Sequence, residues 1–167
     1  MRILSIDPAI RHTGYAVIEG DHRSQTALDY GVIEFTSKVK QSLCLRGINE
    51  HICHLIEKWK PEEFAIERII FVQSKETAIY LGSAREAAVI AAAKYELPIV
   101  EYSPRAVKLA VVGRGAAVKE QVAFMMRVLL KLRETPQSDA ADALAIGFAH
   151  LACSDPLKAG MVDRKYI

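Results

Sequence analysis

No apolar run in this 167-residue chain approaches the roughly 18–20 residues of a bilayer span, which excludes a membrane helix. The opening stretch, MRILSIDPA, reaches Asp7 too early to contain the apolar centre of a signal peptide. Cysteine is scarce. Cys44, Cys53 and Cys153 follow no framework spacing, so the chain is expected in a reducing cytoplasm rather than held by disulfides. With only 9 Gly, 6 Pro and no low-complexity stretch, collagen-like, disordered and coiled-coil classes are excluded. The few glycines also fail to build a nucleotide loop. Gly113-Arg114-Gly115 lacks the third glycine and the preceding strand of a dinucleotide fingerprint, and no GxxxxGK[ST] occurs. What is present is 51% hydrophobic and 25% charged residues, enough for a buried core. One domain over residues 1–153 is expected, with 154–167 as a flexible tail.

Charge is small overall, +2, but unevenly spread. Residues 105–133 carry Arg105, Lys108, Arg114, Lys119, Arg127, Lys131 and Arg133 against the single acid Glu120. The rest of the chain is net acidic. Such a segment suits a phosphate-binding surface, although Lys and Arg also decorate helices for solubility alone.

The hydrophobic pattern starts with period 2 and changes to 3.6. Arg2–Asp7, Gly14–Glu19 and Leu28–Phe35 read as strands joined by short turns, an antiparallel meander. Leu45, Ile48, Ile52, Leu55, Ile56 and Trp59 then form the apolar stripe of a helix stopped by Pro61. Phe64–Glu67 and Pro98–Tyr102 read as strands, the first short and apolar enough for a buried parallel one. Helices are expected over Lys75–Tyr95, Arg105–Val112, Val118–Leu132 and Gln137–Cys153. The predicted class is α/β, a mixed five-stranded sheet of three meandering strands plus parallel ones, with helices on both faces.

Four acids stand out within that order. Asp7 and Glu67 each end a strand, and parallel neighbours would deliver both carboxylates to one sheet edge, where α/β folds place their sites. Asp139 and Asp142 lie three apart on one helix face, with Ser138 as the expected N-cap. Each has an ordinary explanation by itself: a turn aspartate at Asp7, helix-dipole acids at 139 and 142. Glu67 is harder to explain so, because a carboxylate beside Phe64-Ala65-Ile66 is costly unless paired or bound to a cation. Converging carboxylates suit Mg²⁺ or Mn²⁺, and beside a basic segment they indicate a metal-dependent nuclease. His51, Cys53 and His54 interleave with a helix stripe and read as packing rather than a zinc site.

The stretches ILSIDPAIRHTGYAVIE, FAIERIIF, ELPIVEYSPRAVKLAVVGRGAAVKEQV and LLKLRETPQSDAADALAIGFAH resemble, in order and spacing, the RuvC Holliday-junction resolvases of the RNase H-like fold. The resemblance covers nearly the whole chain to about residue 153. It implies that Asp7, Glu67, Asp139 and Asp142 hold two divalent cations, Mg²⁺ or Mn²⁺, and that Lys119 acts near the scissile phosphate. Lys108 would be a second basic residue of the DNA surface, alongside Arg105, Arg114 and the loop residues Ile70 and Phe71. It further implies a homodimer that nicks four-way DNA junctions symmetrically in recombination and repair, leaving 5′-phosphate ends, with the branch-migration proteins RuvA and RuvB as partners.

Three positions depart from the family pattern: Ala9 where glycine is usual, Ile70 where an aromatic is usual, and Glu86 in LGSARE where glycine is usual. None removes a carboxylate. The alternatives are an RNase H-like nuclease acting on other branched DNA or RNA, and a junction-binding protein with attenuated cleavage. An actin-like ATPase would need a second lobe for which 167 residues leave no room.

Overall fold

The computed structural model describes residues 1–70, 74–154 and 163–167. Its elements are β1 (Arg2–Asp7), β2 (His12–Gly20), β3 (Gln25–Glu34), α1 (Gln41–Trp59), β4 (Glu63–Glu67), α2 (Lys75–Ala93), β5 (Ile99–Tyr102), α3 (Pro104–Val112), α4 (Lys119–Leu129), α5 (Ser138–Ala152) and β6 (Arg164–Tyr166). The sheet order is β3-β2-β1-β4-β5-β6. The β1–β2–β3 meander is antiparallel, while β4 and β5 run parallel to β1 through helical crossovers.

The sheet has six strands rather than the expected five. Arg164–Tyr166, expected in the frayed tail, instead pairs antiparallel with β5. Nothing in the charged run Asp163-Arg164-Lys165 signals a strand. Pairing with the open edge of β5 makes it one. At the start of α5 the cap is Gln137, not Ser138, which is already helical.

Alternation along the strands divides the core in two. Ile3, Ala65, Val100 and Tyr102 face α3, α4 and α5, whereas Leu4, Ile6, Phe64, Ile66 and Ile99 face α1 and α2. The same period sends Asp7 and Glu67, two residues beyond Ser5 and Ala65, to the α5 side. Two small-residue contacts let α5 lie close there. A Cβ on Gly147 would stand 2.6 Å from Ser5 Oγ, and Ser5 Oγ donates to the Ala143 carbonyl at 2.8 Å. A Cβ on Gly14 would stand 2.0 Å from the Asp139 carbonyl oxygen. Gly14 is the register partner of Asp7, so the glycine that admits the helix start also sits beside the first carboxylate.

On α2, Ala84, Ala88 and Ala91 are fully buried in this chain's own core. The outward face keeps Ile79 and Ile90, 64% and 54% exposed.

Candidate active site

The site is assembled by three elements meeting at one edge. Strands β1 and β4 pair in register from Ile3–Glu63 to Ile6–Ile66, so Asp7 and Glu67 leave adjacent strand ends side by side. Helix α5 brings Asp139 and Asp142, one turn apart, over the same edge. One carboxylate oxygen from each of Asp7, Asp139 and Asp142 lies within 4.8 Å of the others, the one such group of potential metal ligands among the described residues. Glu67 flanks them and shares a hydrogen bond with Asp7.

Packing acids together away from water is expensive, and their titration reflects it. Burial, then the charges of Glu67 and Asp142, push the Asp7 carboxyl well above the usual range. Burial, then Asp142, raise Glu67 to about 7, with Lys119 and Lys108 opposing the rise. An oxygen-only donor set, with Asp7 and Glu67 pushed upward by burial and mutual charge, fits a hard divalent metal.

Lys119 is the first residue of α4, whose start is fixed by Gln121 Oε1 accepting from the Val118 N–H at 3.1 Å. Its Nζ donates to Asp142 Oδ2 at 2.8 Å. That bond raises its pKa, keeping it charged, while the side chain stays 60% exposed and free to turn outward. Lys108, in the second turn of α3, is close enough to act on Glu67. Arg105 lines a cleft of about 320 Å³ with Pro8, Glu67, Arg68, Ile70 and Leu81. Arg114 stands exposed in the turn after Gly113, and no ion pair among the described residues ties it to the acids. Ile70 is 62% exposed at the cleft rim, while Phe71 lies outside the described residues.

The Ala9 departure sits in a braced turn. Thr13 Oγ1, fully buried, accepts from the Ala9 N–H at 3.3 Å and donates to the Ala9 carbonyl. His51 packs its ring 5.4 Å from Tyr15, and the Cys53 thiol contacts Asn49, as a packed helix face requires. Sequence reasoning missed the charge network behind Glu67. Arg68 bonds Asp163, and the buried Glu101 pairs with Arg85. An arginine directly after a strand-ending glutamate was the available signal.

Comparison with known proteins agrees with this geometry. The family signature described as crossover junction endodeoxyribonuclease RuvC matches residues 3–150. A relative of that name from Akkermansia muciniphila is 65% identical over 167 residues, covering all of both chains. Another from Idiomarina loihiensis is 45% identical over 159 residues, covering 93% of this chain and 89% of the relative. Among solved structures, Thermus thermophilus RuvC in complex with Holliday junction substrate aligns over the full length of both chains, with a TM-score of 0.86 and 28% identity. The yeast mitochondrial Holliday junction resolvase shares the fold, with a TM-score of 0.64 at 14% identity over 95% of this chain and 82% of its own. The chain belongs to the RuvC family of crossover junction endodeoxyribonucleases.

Proposed function

We propose that this chain resolves four-way DNA junctions by symmetric hydrolysis of two phosphodiesters, with Asp7, Glu67, Asp139 and Asp142 holding two Mg²⁺ or Mn²⁺ ions. The observation that carries the reading is the convergence of three carboxylate oxygens within 4.8 Å, flanked by Glu67 and by Lys119 at 2.8 Å. When bound, the cations supply an activated water and offset charge on the leaving oxygen. Water's oxygen bonds to phosphorus as the bond to the 3′ oxygen breaks, leaving a 5′-phosphate and a 3′-hydroxyl.

The residues divide the work by position. The four acids would hold the cations at the sheet edge, and only through those cations would they position the reacting phosphate. Lys119, on its long exposed stem, leaves Asp142 for the phosphate and offsets charge that grows in the transition state. Lys108, Arg105 and Arg114 attract the DNA backbone, and Ile70 with Phe71 contacts bases at the opened junction centre. Resolution needs two such sites related by a twofold axis, so the working form is a homodimer, with the exposed Ile79 and Ile90 of α2 at the contact. A single nuclease domain whose sheet includes the closing strand β6, acting in the cytoplasm with RuvA and RuvB, completes the proposal.

The test is Asp7→Asn. Neutralising one ligand removes metal affinity and also lowers repulsion toward DNA phosphates. Cleavage of a synthetic four-way junction should vanish while binding, measured by gel shift in EDTA, stays equal or tightens. Loss of binding together with cleavage would assign Asp7 a structural role instead.

A further inference from the structure

Strand β4 runs out through Glu67 and Arg68, and the strand period sends these neighbours to opposite faces of the sheet. Glu67 faces α5 and the other acids. Arg68, the residue after β4, is held by three contacts to β5 and to the residue that leads into β6. Its Nη1 donates to both oxygens of Asp163, at 2.9 and 3.0 Å. Its Nε lies 3.8 Å from Oε2 of Glu101, a buried carboxylate also gripped by Arg85. Its backbone N–H donates to the Tyr102 carbonyl at 2.8 Å.

Asp163 leads directly into β6, and β6 is fastened to β5 by the register pairs Tyr102–Arg164, Glu101–Lys165 and Val100–Tyr166. The closing segment of the chain therefore reaches back to the residue after Glu67. Among the described residues the Glu67 carboxyl has no comparable anchor: its hydrogen bond is to Asp7, another acid. Its position is inherited from the backbone that Arg68 pins.

An ion pair as exposed as Arg68–Asp163, with the Asp163 side chain 61% exposed, adds little to folding stability. Fixing a guanidinium by several directional contacts, however, orients the strand end that carries it. We propose that Asp163, acting through Arg68, is a positioning residue for Glu67, so that the last strand sets how well the acidic site holds its divalent cation. This rests on Glu67 being a ligand, and the test separates the two claims.

Mn²⁺ binding to the full-length protein without DNA is measured by calorimetry for wild type, Asp163→Asn, Asp163→Glu, Arg68→Lys and Glu67→Gln. Junction affinity in EDTA and thermal melts are recorded in parallel. Partners behind metal ligands typically carry about 10–100-fold in affinity. For an exposed partner, the expected loss in Asp163→Asn and Arg68→Lys is about 3- to 10-fold, with Asp163→Glu within about twofold of wild type. Junction affinity in EDTA should not change. Wild-type Mn²⁺ binding in Asp163→Asn overturns the proposal, as does an equal loss in Asp163→Asn and Asp163→Glu, which would mark a general effect of disturbing β6. Altered junction affinity with unchanged Mn²⁺ binding also overturns it and makes Arg68 a DNA contact. If Glu67→Gln itself binds Mn²⁺ like wild type, the underlying assignment of Glu67 falls instead.

Discussion

Replacing Glu67 by glutamine should remove cleavage and, in metal-free protein, raise stability. The Glu67 carboxyl is held at about 7 instead of 4.5, chiefly by burial and then by Asp142. For an acid displaced upward, folding is unpenalised below the unfolded value, and the penalty grows until pH passes the folded value. At about 1.36 kcal/mol per pH unit the full displacement is about 3 kcal/mol, which water at the half-buried carboxyl reduces to about 1–3 kcal/mol. Glutamine keeps the shape without the charge. For a chain of this size, where 1 kcal/mol moves Tm by about 2–4 °C, the variant should melt about 3–10 °C higher at pH 8 in EDTA. At pH 5 only about a quarter of that gain should remain, because folded Glu67 is then neutral like glutamine and the pH lies only about half a unit above its ordinary value of 4.5. The difference between variant and wild type is the informative quantity. Buried His150, its pKa lowered to about 4, and His51, also lowered, both lose stability on acidification and act in the opposite direction in both proteins. Calorimetric or circular-dichroism melts across pH 5–8 provide the assay. A variant that melts at or below wild type at pH 8, or a gain that is largest at pH 5, would refute the reasoning.

Three further outcomes are expected. Lys119→Ala should lower the single-turnover rate on saturated junction about 10²–10³-fold while affinity falls little and the salt slope drops by about one; a collapse in affinity at unchanged rate would make Lys119 a binding residue only. Gly14→Ala should destabilise the protein by about 1–3 kcal/mol in thermal melts and weaken metal binding, because its methyl group would meet the Asp139 carbonyl at 2.0 Å and push α5 outward. Ile79→Glu with Ile90→Glu should shift a dimer to monomer in sedimentation equilibrium at micromolar concentration while leaving the melting temperature within a few degrees, since both side chains point away from the core.

Elements with a strong period were legible from sequence. The apolar stripe from Leu45 to Trp59 and the strand-ending acids Asp7 and Glu67 state their face and edge directly, and β1 and β4 do lie parallel with those acids adjacent. The strand at Arg164–Tyr166 was not legible because its residues carry no apolar alternation, and it forms only where β5 offers unpaired backbone groups. The cap of α5 was misplaced by one residue, since Ser138 has the better capping side chain but the helix already includes it. The face of α2 was hidden for another reason. Alanine serves equally well in a close helix–sheet contact and in a subunit interface, so its sequence does not say which neighbour it meets. Gly14 and the Arg68–Glu101–Asp163 network depend on contacts between segments far apart in the chain, which local pattern does not encode.

The central claim is tested most directly by incubating the protein with a synthetic four-way junction, each of its four strands labelled in turn, in Mg²⁺ or Mn²⁺. Paired nicks at symmetric positions on two opposing strands of like polarity, bearing 5′-phosphates, are expected. They should be absent in EDTA, with Asp7→Asn and on plain duplex. Equal cleavage of duplex DNA or of RNA, or tight junction binding without any metal-dependent nick, would contradict the account.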